Sequence, residues 1–343
     1  MEEKEYINLI EEPKVDFSCF DSKSREDGIS GFMRLRNEGE FLSLAIESWL
    51  PILDELIIVY NNCQDNTEEI ALRYARLYPE KIKVFHYLPI VYPQGSQKYK
   101  ELASSDFHSL VNYYNFALSK TTKKWAIKID GDQILYKGSV IRQKYEELRL
   151  NKPNHIQLLS GVNLIDNYGK LYVPSSTRFC NFYGDLWLFR VDKDTIFKKG
   201  QEWEYLDLSN RTYVDTIFVH YHLKFMKNDY GIGNYELDEN PNSRYYPLYL
   251  VFLIMLRLIP LEKIAKETSM PIIDCEDLSI QRSRYYRKEA WDYLNQKNAS
   301  FSFSRFIKEF YIYLRAHTKL RVVVNILIRV LRPLKKVIDK SKL

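Results

Sequence analysis

The first 135 residues alternate between short apolar strands and amphipathic helices, and this alternation restricts the fold more than any other feature. The strand predicted at 55–60 is apolar throughout its middle, as strands covered on both faces of a parallel sheet are. A helix predicted over roughly 40–50 carries its apolar residues on one face, and Pro51 marks its end. Parallel strands need crossover connections, which are usually helical. The pattern therefore predicts an α/β protein with helices on both faces of a parallel sheet.

Three polar loops follow predicted strands, at 34–38, 61–67 and 130–133. Because ligands bind beyond the carboxyl ends of parallel strands, we expect these loops to meet in one crevice. The sequence has neither a G-x-G-x-x-G signature nor a P-loop signature. This absence argues against a dinucleotide-dependent enzyme and against a P-loop NTPase.

The triplet Asp130-Gly131-Asp132 stands where the apolar strand at 125–129 ends. Glycine allows the backbone to turn and a ligand to come close. Two carboxylates separated by one residue suit Mg²⁺ or Mn²⁺ bound together with a diphosphate. Such triplets are also common in solvated surface turns, but the preceding buried strand favours the metal interpretation.

The pattern changes after residue 155, where strands and turn signals replace the regular alternation. The residues at 167–170 predict a tight turn between two strands, and 217–223 is predicted to be a strand. His220 and His222 are two residues apart on that strand and should share a face. After Pro241 the sequence turns to long helical segments.

Positive charge is concentrated at the C-terminus. The net charge of the chain is +5, yet residues 301–343 hold eleven Lys and Arg against two acids. Residues 320–336 show helical periodicity, with a cationic stripe beside a wide apolar face. This arrangement is typical of a helix that lies in a membrane interface. The alternative is that the apolar face packs on the rest of the protein or on a second subunit.

Other features exclude several classes of protein. The four cysteines are far apart, so the sequence predicts neither a zinc site nor a disulfide framework, and a reducing cytosol fits. The longest apolar-rich run without charge, 245–256, is too short to span a bilayer. The N-terminus lacks the basic start and apolar core of a signal peptide.

Four stretches together resemble bacterial glycosyltransferases of the GT-A fold, of the family 2-like kind. The likeness is greatest to the β-1,4-N-acetylgalactosaminyltransferases that build lipooligosaccharide outer cores, and it covers roughly 28–230. Asn62 stands where many such enzymes carry an aspartate against the nucleotide base, which leaves the nucleotide preference open. The stretches that carry the resemblance are 32–38, 60–69, 127–132 and 220–222.

The resemblance implies a GT-A (Rossmann-like) architecture, with a mixed and mainly parallel sheet flanked by helices and a C-terminal helical appendage. We expect an N-terminal leader at 1–27 and a catalytic domain at 28–240. A helical C-terminal region at 241–343 would contain the basic amphipathic helix. The expected location is cytoplasmic, on the inner face of the plasma membrane.

The function that the resemblance implies is transfer of a hexose or N-acetylhexosamine, with inversion, from a UDP-sugar. The expected acceptor is a bacterial surface glycan or a lipid-linked saccharide, and the expected cofactor is Mn²⁺ or Mg²⁺. Asp132 is the first candidate for direct coordination, and His222 would complete the site, with His220 the weaker candidate. Asp130 would be either a ligand or a contact of the ribose. We expect no nucleic acid partner, and an oligomer is possible.

Inverting transfer needs a base for the acceptor hydroxyl. Asp185 beside Gly184 is the first candidate, and Glu204 and Asp207 are its rivals. Residues implied in donor binding come from three loops and one helix, although Asp65 could equally begin the helix that follows it. These donor-binding candidates are Arg34, Asn62, Asp65, Asn115 and Asp130.

Two other functions remain open from the sequence. A sugar nucleotidyltransferase also uses carboxylates and a metal on a similar sheet, but it usually needs a glycine-rich basic signature that 29–38 lacks. A non-catalytic glycan-binding or scaffold protein is the third possibility. The presence of both aspartates and both histidines argues against it.

Overall fold

The computed structural model describes residues 7–175, 184, 186–200, 204–237, 240, 257–280, 284–296, 307, 308 and 311. The strands are β1 Ile7–Ile10, β2 Glu26–Leu35, β3 Glu55–Tyr60, β4 Ile82–Tyr87, β5 Lys123–Ile129, β6 Gln133–Leu135, β7 His155–Asn163, β8 Ile165–Asn167, β9 Lys170–Pro174, β10 Trp187–Arg190, β11 Phe197–Lys199, β12 Glu204–Leu206, β13 Thr212–His222 and β14 Leu258–Pro260. The helices are α1 Leu42–Trp49, α2 Thr67–Leu77, α3 Gln97–Glu101, α4 Leu110–Ser119, α5 Gly138–Asn151, α6 Leu261–Thr268 and α7 Tyr286–Gln296.

Nine of the described strands form one sheet in the order β1-β4-β3-β2-β5-β10-β7-β13-β6. The first five strands in this order pair in parallel. β10 is antiparallel to both β5 and β7, β13 is parallel to β7, and β6 is antiparallel to β13. The predicted GT-A-like architecture, a mixed and mainly parallel sheet between helices, is therefore confirmed.

Apolar residues cover both faces of this sheet. One buried cluster brings Ile46 of α1, Ala71 of α2 and Ile141 of α5 against the strands. The other brings Phe116 of α4 against the opposite face, with Phe32 of β2. Burial on both faces explains why β3 is apolar along its length, since none of its residues faces water.

Several predicted boundaries need refinement. β1 lies inside the predicted leader, and it extends the sheet by pairing with β4. The segment predicted to be irregular at 89–107 contains the short helix α3. The turn predicted at 167–170 joins β8 and β9, and Tyr168 and Gly169 supply the positive φ angles of 57° and 72° that such a turn needs.

The C-terminal part that the structure describes contains β14, α6 and α7. The predicted basic helix at 320–336 lies outside the described residues. No helix in the described part of the chain combines the length and the apolar character needed to cross a bilayer.

Candidate active site

An open cleft of about 730 Å³ lies at the carboxyl ends of β2, β3 and β5. Arg34 reaches it from the end of β2 and Glu38 from the loop after β2, Asn61 directly follows β3, and Asp130 and Asp132 follow β5. The predicted convergence of three polar loops is therefore observed. It follows from parallel pairing, which brings these strand ends to the same edge.

The turn after β5 places Asp132 on the floor of the cleft, where it is 4% exposed. Its Oδ1 lies 3.0 Å from Nε2 of His222, at the end of β13. Burial alone would disfavour the carboxylate, but the nearby charges of His222, Lys227 and Lys224 hold the pKa of Asp132 well below its usual range. Asp132 is therefore an ionised carboxylate at neutral pH.

Gly131 is required by packing. A Cβ atom at this position would lie 2.8 Å from Cβ of Glu38, closer than side chains approach. The glycine thus allows the loop after β2 to lie directly against the turn after β5. This close approach brings the Glu38 carboxylate next to the predicted metal ligand Asp132.

Asp130 occupies a different position from Asp132. Its Oδ2 lies 3.2 Å from Nζ of Lys128 and accepts a weak hydrogen bond of 3.4 Å from Gln133. Within the described residues, no group of three or more His, Cys, Asp and Glu side chains could hold a metal ion. The three predicted ligands are therefore not assembled as one cluster, and the carboxylate of Asp130 contacts Lys128 instead.

The pair of Asp132 and His222 nevertheless fits a metal that is completed by its substrate. Mg²⁺ and Mn²⁺ are commonly bound by one or two protein side chains together with phosphate oxygens and water. A carboxylate oxygen and an imidazole nitrogen 3.0 Å apart can be neighbouring ligands of one ion. Nδ1 of His222 has no hydrogen-bond partner among the residues described, so no protein group fixes the ring in another orientation.

His220 and His222 differ in their surroundings. His220 is fully buried, and its ring lies 6.5 Å from the ring of Trp49. A Cβ atom at Gly161 would come within 2.2 Å of its Nε2, so the ring packs directly on the backbone of β7. This packing assigns His220 to the core and leaves His222 as the histidine that lines the cleft.

Arg34 lines the cleft together with Tyr113 and Tyr114 of α4. Its guanidinium donates a hydrogen bond to the hydroxyl of Tyr114 and stacks over that ring, 4.1 Å from the centroid. The Tyr113 hydroxyl donates to the carbonyl oxygens of Leu35 and Val59, which fixes α4 against the ends of β2 and β3. The predicted donor-binding residue Arg34 therefore faces the cleft from a rigid support.

Three other predicted donor-binding residues lie outside the cleft lining. Asn62 is exposed and adopts a left-handed φ of 43°, whereas its neighbour Asn61 is buried and lines the cleft. Asp65 accepts hydrogen bonds from the backbone N–H groups of Thr67 and Gly39, so it connects the start of α2 to the loop after β2. These contacts give the Asp65 side chain a local structural role.

Asn115 is also used internally. Its amide donates to the carbonyl oxygen of Phe197 at 2.9 Å and accepts from the backbone N–H of Phe197 at 2.8 Å. These two hydrogen bonds attach β11 to α4. Asn115 supports the wall of the cleft from behind, and the structure does not place it against a donor.

The two candidate bases that the structure describes, Glu204 and Asp207, differ in their surroundings. Glu204 lines the cleft, where it accepts a hydrogen bond of 3.2 Å from Gln94. Asp207 is paired with Lys198 at 2.5 Å and accepts from the backbone of Ser209, and these bonds lower its pKa to about 2. Asp185, the first candidate, lies outside the described residues. Of the three candidate bases, Glu204 is therefore the one that lines the cleft in the described part of the chain.

Sequence analysis missed the cations that follow β13. Lys224 and Lys227 both line the cleft, and Nζ of Lys227 lies 3.0 Å from Glu38 and 3.9 Å from Asp132. Burial raises the pKa of Glu38 to about 8, while the Lys227 ammonium opposes this shift. The only signal in the sequence was that two lysines closely follow the predicted metal ligand His222.

A known family model matches about half of this chain. The model of the CgtA family, described as beta-1,4-N-acetylgalactosaminyltransferase, matches residues 4–178. No curated protein matches the sequence.

Two solved structures have a distant similarity to this chain. Glucosyl-3-phosphoglycerate synthase from Mycobacterium tuberculosis, in complex with Mn²⁺, UDP and phosphoglyceric acid, is 16% identical over 46% of this chain, with a TM-score of 0.29. The chain covers half of that enzyme's length. S. aureus TarS 1–349 is 12% identical over 84% of this chain and 80% of its own, with a TM-score of 0.36. Similarity at this level carries no conclusion about substrates.

Proposed function

Because the chain belongs to the CgtA family of β-1,4-N-acetylgalactosaminyltransferases, we propose that it transfers N-acetylgalactosamine from a UDP-sugar with inversion at the anomeric carbon. The observation that carries the proposal is the buried pair of Asp132 and His222, 3.0 Å apart on the floor of an open cleft. A hexose or another N-acetylhexosamine is the alternative donor sugar.

Asp132 and His222 are the residues that would hold Mn²⁺ or Mg²⁺. A divalent ion there would neutralise charge on the diphosphate as the nucleotide leaves. Asp130 is the candidate contact for the ribose, because its carboxylate lies beside Lys128 and is not part of a cluster of metal ligands among the described residues. Arg34 and Asn61 line the part of the cleft that we assign to the nucleoside.

The acceptor hydroxyl needs a base on the side of the sugar away from the leaving group. Asp185 remains the first prediction, and Glu204 is the alternative that lines the cleft. Two aromatic residues, Trp187 and the sequence neighbour of Glu204, Tyr205, also line the cleft. Such rings can stack on sugar faces, which supports a saccharide acceptor at this end.

The acceptor that we propose is a bacterial surface glycan, such as a lipooligosaccharide or a lipid-linked precursor. Residues 318–343 would hold the enzyme at an anionic membrane surface, where each Lys or Arg contributes about 1 kcal/mol. A chain without 318–343 should stay active on a short lipid-free acceptor and lose its binding to anionic vesicles. Equal sedimentation of both forms with vesicles would contradict the membrane role.

The proposal is tested by the products formed from a panel of UDP-sugars. Free UDP together with an acceptor enlarged by one sugar indicates transfer, and the rate should be greatest with UDP-N-acetylgalactosamine. Pyrophosphate chemistry would instead indicate a nucleotidyltransferase. Binding without turnover would indicate a glycan-binding protein. Asp132→Asn is the control, because it removes the carboxylate charge while keeping the shape of the side chain.

A further inference from the structure

A buried lysine lies beside the candidate metal pair. The Lys227 side chain is 5% exposed, and its Nζ is 3.0 Å from Oε1 of Glu38. Oδ2 of Asp132 lies 3.9 Å from the same nitrogen, which is too far for a direct hydrogen bond. Lys227 nevertheless lines the cleft, so its ammonium faces both the buried acids and the space that a ligand would fill.

The backbone around Lys227 is held from two directions. Nη1 of Arg284 donates to the Lys227 carbonyl oxygen at 2.9 Å, and Nη2 donates to Oδ1 of Asn228 at 2.7 Å. The backbone N–H of Asn228 donates to the carboxylate of Glu40 at 2.8 Å. Burying an ammonium is costly unless it is paired. These contacts therefore maintain a position that the side chain would not adopt alone.

The ammonium also has hydrogen-bonding capacity left over. A lysine carries three N–H donors, and Glu38 accepts one of them. Carboxyl oxygens of Glu38 and Asp132 lie 3.0 Å and 3.9 Å from this nitrogen, which offsets the cost of burying the ammonium. Donors remain for an anionic group that enters next to Asp132.

We propose that Lys227 binds the diphosphate of the nucleotide-sugar donor and gives the cleft a resident cation that acts without the divalent metal. This inference rests on the proposed function, since it assumes that the donor is a nucleoside diphosphate sugar. Lys224 lines the same cleft one helical turn earlier, close to the Tyr235 ring, and supplies additional positive charge. Lys224 and Lys227 would thus both contribute positive charge near the diphosphate, from the segment that follows β13.

A purely structural role for Lys227 makes a different prediction. If the ammonium only neutralised Glu38 and Asp132, its loss would reduce folding stability and leave the preference for diphosphate unchanged. If the ammonium binds the ligand, its loss should weaken the binding of UDP. The binding of uridine, which has no phosphate, should not change. The ratio of the two affinities separates these roles.

The experiment is calorimetric titration of UDP and of uridine in the presence of EDTA. The wild-type protein should bind UDP at least about tenfold more tightly than uridine, the scale of a hydrogen bond to a charged group. Lys227→Met should reduce this ratio by about tenfold, and Lys227→Arg should keep most of it. Lys144→Met is the matched control, since Lys144 is a partly buried, ion-paired lysine outside the cleft and should leave the ratio unchanged.

A double variant, Glu38→Gln with Lys227→Met, replaces both members of the pair and is compared with Glu38→Gln alone. The comparison of the double variant with Glu38→Gln replaces the comparison of Lys227→Met with the wild type if Lys227→Met does not fold. An unchanged ratio of UDP to uridine affinity in the Lys227 variant overturns the inference. Binding of UDP by the wild-type protein only when Mn²⁺ is added overturns it as well, while the proposed function stands. Absence of UDP binding even with Mn²⁺ contradicts the proposed function itself.

Discussion

The two sides of the cleft are built in different ways. One side, the strand wall, consists of Arg34, Lys128 and Asp130 at the ends of β2 and β5. The other side, the loop wall, consists of residues 223–236 after β13. Lys128 pairs with Asp130 two positions away on the same strand end. The loop wall is held by contacts such as that of Arg36 with Glu236, 200 residues apart.

This difference indicates how each wall responds to change. The strand wall is part of a sheet that is buried on both faces, so its geometry is set by the core. The loop wall requires left-handed backbone at Tyr230, Gly231 and Glu236, with φ angles of 54°, 70° and 48°. Non-glycine residues adopt such angles only when the surroundings fix them. We therefore expect perturbations of the loop wall to change ligand affinity more readily than perturbations of the strand wall.

Asp132→Asn should have the largest effect, because Asp132 lies where the two walls meet. The substitution removes the charge that pairs with His222, and we expect transfer to fall by at least about a hundredfold, the scale of losing one electrostatic contact in an active site. The measurement is UDP release with saturating donor and Mn²⁺. Asp130→Asn should cost less. Activity of Asp132→Asn near the wild-type level would remove Asp132 from the metal site.

Substitutions of the three candidate bases form the second test. Loss of a general base lowers kcat by at least about a hundredfold while donor affinity hardly changes. We expect this result for either Asp185→Asn or Glu204→Gln. Asp207→Asn should stay close to wild type, because Asp207 is occupied by Lys198. A large fall in kcat for Asp207→Asn alone would show that this ion pair opens during the reaction.

Arg284→Ala tests the support of the loop wall. It removes two hydrogen bonds, to the Lys227 carbonyl oxygen and to Asn228. We expect the KM for the UDP-sugar to rise by roughly tenfold with a smaller change in kcat, consistent with two bonds of about 1 kcal/mol each that are partly replaced by water. Steady-state kinetics over a range of donor concentrations measures both constants.

Lys288→Ala is the control for this variant, because Lys288 is an exposed residue of α7 that pairs with Asp292. Arg284→Lys should restore part of the loss, since one ammonium can reach one of the two acceptors. If Arg284→Ala lowers the melting temperature and kcat but leaves KM unchanged, Arg284 serves only to stabilise the fold.

Tyr114→Phe tests the support that α4 gives to Arg34 of the strand wall, and it should have the smallest effect. The change removes the hydroxyl that accepts from Arg34 but keeps the ring on which the guanidinium stacks. We expect a loss of about 1 kcal/mol in donor binding, or roughly fivefold in affinity. Titration with UDP measures it. A loss as large as that of Arg284→Ala would contradict the difference between the two walls.

The strand wall and the sheet could be predicted from the sequence because both follow from local periodicity. The strand at 55–60 and the acidic turn after 129 are visible in the order of residues alone, and β3 has the predicted bounds. The loop wall could not be predicted in this way. The partner of Lys227 is Glu38, which is far away in sequence. The roles of Asp65 and Asn115, outside the loop wall, were also hidden in the sequence, because they depend on backbone groups that approach only after folding.

The central claim is that a nucleoside diphosphate and a divalent metal bind together at Asp132 and His222. Electron paramagnetic resonance of Mn²⁺ measures this directly, because free and protein-bound Mn²⁺ give different signals. The wild-type protein should bind Mn²⁺ strongly only when UDP is present, Asp132→Asn should lose this binding, and Asp207→Asn should retain it. Binding of Mn²⁺ with UDP that is unaffected by Asp132→Asn would contradict the account.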